Sequence, residues 1–334
     1  MRAYYLNGTN GIDSVQQCER PDPTPGRGQV LIRMHAVSLN YRDLMVAQGQ
    51  YGAPAGGGII PLSDGAGEVI AVGTDVTRFV VGDRVSPTFM TKWIGGAMSA
   101  PVMSSALGGD IDGVLAELVV CDEHAAVRLP NHLSYEQAAC LPCAALTAWS
   151  ALHGPRPVAA GDVVLTLGTG GVSVFAVQFA HAAGARIIAT SSSDKKLEAL
   201  RGVGASDLIN YSQHPEWEHE VLRLTNGRGV DHVVETVGGG TLPQSITATA
   251  VSGHVHLIGV LSGGQLDPLS LMTRKTLRGI MVGSTEEFEA MNRVIDLHRI
   301  EPIIDRVYAF DEAPKAYEHL ASSSHVGKIV VRID

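Results

Sequence analysis

The 334-residue sequence predicts an α/β protein, a doubly wound parallel sheet joined to a smaller, partly antiparallel barrel. Three observations predict it. A glycine-rich turn, Leu165-Thr166-Leu167-Gly168-Thr169-Gly170-Gly171-Val172-Ser173, stands between an apolar strand and an amphipathic helix. Strands and helices then alternate as far as Gly283, the rhythm of a parallel sheet. The first third is instead a series of short strands punctuated by glycine, which suits a small barrel.

Taken in order, Met1 to Leu6 reads as a strand and lacks the long apolar core of a signal peptide. Gln29 to Val37 alternates, with Val30, Ile32, Met34 and Ala36 on one face. Asn40 to Ala47 suits a short helix carrying Arg42 and Asp43, a pair that would either order that helix or serve a site. Gly65 to Val72 and Gly82 to Val85 are further strands, separated by a turn near Gly73-Thr74-Asp75. From Ser86 to Asp112 there are glycine pairs, prolines and no periodicity, so this segment is either a surface excursion or a flap over a substrate entrance.

An alanine-rich helical stretch from Ser134 to Ser150 leads into the glycine turn. Asp162 to Leu167 is aliphatic and β-branched, as a strand buried on both faces should be. Val174 to Ala183 has helical spacing, with Gly184 as its C-terminal stop. Strands at Arg186–Thr190, Leu208–Tyr211, Asp231–Val237, His254–Val260 and Arg278–Gly283 follow, with helices Pro215–Leu224 and Thr241–Ala250 among them. A helix from Thr285 to about Leu297, a strand at Asp305–Tyr308, a helix at Glu312–Leu320 and a strand at Lys328–Ile333 close the chain.

A strand, a glycine turn and a helix place backbone N–H groups and a helix N-terminus where a diphosphate can sit. Gly168 permits the tight turn, Gly170 lets backbone approach phosphate, and Ser173 takes the place of the usual third glycine. In NAD-preferring units an acid ends the second strand and bonds the ribose hydroxyls. Here that place holds Ser191, Ser192 and Ser193, and the first carboxylate is Asp194 in the next helix. Without the fixed negative charge a 2′-phosphate is not repelled, and Lys195 and Lys196 are near enough in sequence to neutralise it. NADP is therefore expected over NAD, although the same residues would also make a solvated helix start capped by Ser193.

A net charge of −9 with no basic run argues against nucleic acid or anionic membranes as partners. No stretch approaches the ~18 continuous apolar residues of a membrane span. Four cysteines, Cys18, Cys121, Cys140 and Cys143, suggest a reducing compartment and a cytoplasmic protein. The pair Cys140-Leu141-Pro142-Cys143 is expected to pack as small apolar residues, and His254 and His256 to be structural.

Several stretches together resemble the medium-chain dehydrogenase/reductase superfamily. They are Pro25-Gly26-Arg27-Gly28-Gln29-Val30-Leu31, Ser38-Leu39-Asn40-Tyr41-Arg42-Asp43, Gly65-Ala66-Gly67-Glu68-Val69 and Val81-Gly82-Asp83-Arg84-Val85, followed by Leu146-Thr147-Ala148-Trp149, the glycine turn and Val326-Gly327-Lys328-Ile329-Val330. The resemblance implies a GroES-like catalytic domain made of residues 1–126 and 283–334, a Rossmann domain at 127–282, and commonly a homodimer. It also implies that Gly168, Thr169, Gly170, Gly171 and Val172 hold the diphosphate. Ser191, Lys196 and Tyr211 match places that bind the 2′-phosphate in relatives, although Tyr211 would equally serve as a half-buried strand-end residue. Thr147 would contact nicotinamide, and the backbone around Ile258, Val260 and Val282 its carboxamide edge.

The superfamily has a zinc branch and a zinc-free branch resembling quinone oxidoreductases. A catalytic zinc needs two cysteines and a histidine with one position open. By resemblance, Asn40 takes the first cysteine's place and Ser63 the histidine's, and only Cys143 matches; the segment from Ser86 to Asp112 also lacks the structural-zinc cysteines. The expectation is a metal-free enzyme that uses NADPH to reduce a quinone, enone or related carbonyl. Asn40 would orient the substrate oxygen or an ordered water, with Tyr41 and Tyr51 as candidate donors. The alternatives are an NAD(P)-dependent alcohol or aldehyde dehydrogenase of the same superfamily and a non-catalytic NADPH-binding sensor.

Overall fold

The computed structural model describes residues 1–51, 58–259 and 261–333, and they form two compact units, 1–146 with 283–334, and 147–282. In the second unit six strands lie in the order 207–210, 186–191, 163–167, 230–235, 249–257, 276–279, and all their pairings are parallel. The order runs outward in both directions from Val163–Leu167, so the doubly wound sheet reverses between that strand and Val230–Glu235. Both of these strands are buried along their whole length, which explains their aliphatic composition. Leu165, Ile188, Val233 and Val255 form the core with Trp217 and Val221 from the helix Trp217–Leu224.

Among the described residues the first unit holds a two-stranded sheet of Arg2–Leu6 and Val15–Glu19 and a seven-stranded sheet in which Ile304–Ala309 and Lys328–Arg332 pair in parallel and the other pairings are antiparallel. Gln29–Ser38 is its hub, pairing with Asp64–Val72, Leu118–Asp122 and Lys328–Arg332. Its alternating side, Val30, Ile32, Met34 and Ala36, is fully buried, as the sequence pattern indicates. This is the GroES-like architecture, here with its last strand supplied from the C-terminal end of the chain.

Two expectations need correction. Residues 127–146, expected with the nucleotide domain, pack with the first unit. Ala126–Arg128 extends that unit's sheet, and Ser38 Oγ donates to the Ala139 carbonyl at 2.8 Å. The helix expected from Ser134 to Ser150 is broken into Tyr135–Ala138, a π-helical turn at Leu141–Ala145 and Leu146–Leu152. Pro142 has no N–H to give, and the N–H of Cys143 is diverted to Asp64 Oδ2 at 3.0 Å. The segment from Ser86 to Asp112, expected as a surface excursion or a flap, is anchored by buried Phe89, Met90, Ala106 and Leu107 and carries a short helix at Ala100–Met103.

A polar feature lies inside the second unit. His232, His254 and His256 stack on adjacent strands, and His232 Nδ1 and His256 Nε2 share a hydrogen bond at 3.0 Å. Burial, reinforced by the Arg156 guanidinium, holds His232 at about 4, and burial with the neighbouring imidazoles holds His256 at about 3. Unfolded, both would titrate near 6.5. Their contribution to stability is therefore present above pH 6.5 and lost as pH falls toward 4, because the unfolded chain then binds protons that the folded pair does not. The melting temperature should drop through that window, and His256→Asn should flatten the drop; an unchanged slope would show the stack is not responsible.

Candidate active site

At the nucleotide turn, Gly168 has φ of +76° and its N–H donates to the Thr190 carbonyl at 2.8 Å, which closes the bend between the first two strands. Gly170 N-caps the helix Gly171–Ala182, which starts a turn earlier than its apolar periodicity. The reason is Ser173: it is buried, and its Oγ donates to the Leu167 carbonyl at 2.6 Å, so a small polar residue does the packing of the usual third glycine. A Cβ built on Gly170 would meet nothing within 4 Å. The space above the turn and the uncapped helix N-terminus form a cradle that fits a diphosphate. Thr169 is buried, while Gly171 and Val172 are half-buried at the helix start.

At the end of the second strand, Ser191 is buried and its Oγ accepts from Ser193 N–H at 3.4 Å. Ser193 caps the helix Asp194–Arg201 by accepting from Lys196 N–H. Asp194 is already engaged: Asn210 Nδ2 and Gln213 Nε2 donate to its two oxygens at 2.7 and 3.2 Å. Tyr211 is exposed beside this strand end, and Lys196 is half-buried. Thr147 is buried at the start of Leu146–Leu152, and Ile258 N–H donates to the Glu235 carbonyl at 2.9 Å. Val282 is buried with φ of +38°, a strained conformation for a β-branched residue. Val260 lies outside the described residues.

In the first unit, the three positions matched to zinc ligands meet around a buried lysine and aspartate. Asn40 N-caps the helix Tyr41–Ala47, and Asp43 Oδ2 accepts its backbone N–H at 2.8 Å. The Asn40 side chain turns to Lys328, whose Nζ donates to Asn40 Oδ1 at 2.5 Å and to the Leu39 carbonyl at 2.6 Å. Nζ also lies 3.9 Å from Asp64 Oδ2. Asp64 in turn accepts from Ser63 Oγ at 2.7 Å and from the Cys143 N–H at 3.0 Å. Lys328 is 3% exposed and Asp64 0%, so these bonds act where water does not compete. Asn40 Nδ2 is buried and, among the described residues, has no hydrogen-bond partner.

Backbone strain sets the position of Ser63 and Asp64. Leu62, just before them, has φ of +68° and is fully buried. Its backbone runs against Gly108 and Gly113, where an added Cβ would lie 2.6 and 2.0 Å from Leu62 atoms. Around the cluster, Arg42 is buried, donates to the Leu107 carbonyl at 2.6 Å, and stands 3.7 Å from Asp43 Oδ1. Its guanidinium lies over the rings of Phe89 and Tyr51, at 4.7 and 5.3 Å. Burial raises Asp43 to about 6, Cys140 to about 12 and the Cys143 thiol above its ordinary range. Tyr51 is also raised by burial, whereas Tyr41, at 45% exposure, faces solvent. The sequence had not indicated Lys328 or Asp64; only Asp64's place beside Ser63 hinted at one of them.

Family models match two parts of the chain, an alcohol dehydrogenase GroES-like domain at residues 26–131 and a zinc-binding dehydrogenase at 171–296. A zinc-type alcohol dehydrogenase-like protein of Schizosaccharomyces pombe is 45% identical, covering 97% of this chain and 97% of its own. The quinone oxidoreductase of Pseudomonas aeruginosa is 33% identical over 92% of each chain. Among solved structures, an NAD-dependent alcohol dehydrogenase superposes with a TM-score of 0.91 at 31% identity, covering 100% of both chains. The nucleotide turn, the split GroES-like sheet and these likenesses agree, and the chain belongs to the medium-chain dehydrogenase/reductase superfamily as an oxidoreductase similar to quinone oxidoreductases and alcohol dehydrogenases.

Proposed function

We propose that the protein is an NADPH-dependent, zinc-independent reductase of quinones or α,β-unsaturated carbonyls. One observation supports this reading: Lys328 Nζ donates to Asn40 Oδ1, and Ser63 Oγ and the backbone N–H of Cys143 donate to Asp64. The amide oxygen of Asn40 is taken by a lysine nitrogen and the Ser63 hydroxyl donates to a carboxylate, which leaves the Cys143 thiol as the one ordinary zinc donor of the three. Zinc needs thiolate, imidazole or carboxylate donors, so this set does not fit it.

Without a Lewis acid, a simple ketone is a poor acceptor, because charge growing on its oxygen lacks a strong partner. An enone or quinone spreads the same charge through an enolate or aromatic diolate. Asn40 Nδ2 then needs only to donate one hydrogen bond to the oxygen, and water supplies the proton. NADPH, held at Gly168–Val172, supplies the hydride. Ser191, Lys196 and Tyr211 favour NADPH over NADH, since Asp194 is occupied by Asn210 and Gln213 and no acid is left at the strand end to take the ribose hydroxyls. Thr147, Ile258, Val260 and Val282 would position the nicotinamide, and Tyr51 is a second donor candidate ahead of the exposed Tyr41.

The partner is then a small molecule, with no nucleic acid and no membrane. Among the described residues no helix is long and apolar enough to cross a bilayer. A cytoplasmic homodimer fits this reading. An oxidation assay with NADPH and NADH against quinones, enones and simple ketones tests it. Turnover of quinones or enones with NADPH preferred is expected; turnover of ketones alone would establish the alcohol dehydrogenase reading, and tight NADPH binding without turnover the sensor.

A further inference from the structure

We infer that Lys328 is a positioning residue: it fixes the Asn40 carboxamide so that Nδ2 is presented as a donor to the substrate oxygen, with Asp64 holding the lysine in place. The inference rests on the reading of Asn40 under Proposed function and adds the residue that sets its direction.

An asparagine side chain has two ends of nearly equal shape, an acceptor and a donor, and a site that needs the donor must forbid the flipped form. Lys328 does this by elementary chemistry. A protonated lysine nitrogen donates and cannot accept, so the end of Asn40 against Nζ at 2.5 Å must be oxygen. A flip would set NH₂ against it, donor facing donor in a buried place. Nζ cannot swing away, because it also donates to the Leu39 carbonyl at 2.6 Å and faces Asp64 at 3.9 Å. Asp64 cannot swing away either, since Ser63 Oγ and the Cys143 N–H hold its two oxygens. Among the described residues Asn40 Nδ2 is left buried and without a partner, which is costly in a folded protein unless a ligand or ordered water completes it. The lysine and aspartate thus connect all three positions that hold zinc in the metal-dependent branch, and the product of that connection is one aimed N–H group.

Two variants and two readouts test this. Lys328→Met should lower kcat/KM about 100-fold, the scale of losing one oxyanion donor, with NADPH affinity unchanged. Lys328→Arg, which keeps a donor that cannot accept, should restore at least a tenth of the activity. Asn40→Asp keeps an acceptor for Nζ, removes the N–H and adds a carboxylate that pairs with Lys328, so it should fold and lose at least as much activity; it carries the kinetic test if Lys328→Met does not fold. Ratios are taken on whichever acceptor the natural protein reduces, so a wrong substrate class does not obscure the result. Independently of turnover, the Asn40 side-chain amide signals in a ¹⁵N-asparagine-labelled sample, identified by their loss in Asn40→Asp, should be a single set. In Lys328→Met, or in Lys328→Arg if the former is unfolded, they should shift while other asparagines stay. Unmoved Asn40 signals, or full activity in Asn40→Asp, would overturn the inference.

Discussion

Replacing Gly170 with valine should abolish useful NADPH binding and leave the fold intact. The backbone at Gly170 has φ of −72° and ψ of 175°, an extended conformation open to any residue. A Cβ there meets none of the described residues within 4 Å, so the expected cost to the fold is a poorer N-cap, about 1 kcal/mol. The same open space is where the diphosphate would accept N–H bonds from the turn. Displacing it by the width of an isopropyl group removes charge-assisted hydrogen bonds worth about 1.5–3 kcal/mol each. Loss of two of them weakens NADPH at least about 100-fold. Fluorescence titration together with calorimetry separates the two effects. Unchanged affinity would mean that the cofactor lies elsewhere, and a large fall in melting temperature would mean that the glycine serves the fold.

Asp64→Ala should be among the most destabilising single changes in the first unit. The carboxylate is fully buried and faces four groups: Lys328, Ser63, the Cys143 N–H and, across a longer distance, Asp43. Removing it leaves Lys328 with only the more distant Asp43 as a counter-charge and Cys143 N–H without its acceptor, within the π-helical turn Leu141–Ala145. Breaking one side of a buried pair costs about 3–5 kcal/mol. Denaturant unfolding should report a loss of this size, and zinc added to the variant should not restore it. A loss under about 1 kcal/mol would mean that the cluster is not held together through Asp64.

The parts of this protein that were legible in its sequence are those decided locally. The strand Val163–Leu167, its turn and the helix after it lie within one continuous segment, and their apolar periods and glycines state their geometry directly. The same holds for the alternation of Gln29–Ser38, although not for its role as the hub of a sheet. Tertiary bonds override local pattern elsewhere. The helix expected through Leu141–Ala145 yields to a bond from Cys143 to an aspartate far earlier in the chain. Lys328 opens a terminal strand in the way a solvent-facing lysine does, and its partner Asn40 is 288 positions away. No spacing rule joins those two residues; only the fold does. The segment after Ser86 shows a related limit, because its irregular composition concealed Phe89 and the Leu107 carbonyl, both of which hold Arg42.

In the metal-dependent branch of the superfamily a bound cation gathers three ligands and polarises the substrate. Here Lys328 and Asp64 bond to the same three positions, and on the reading proposed above polarisation would fall to one amide and to the acceptor's own conjugation. Elemental analysis of the purified protein, paired with NADPH–quinone turnover before and after chelation, is the direct measurement. The account predicts zinc well below one equivalent and activity indifferent to the chelator. One zinc per chain, lost together with activity and regained on its return, would contradict it.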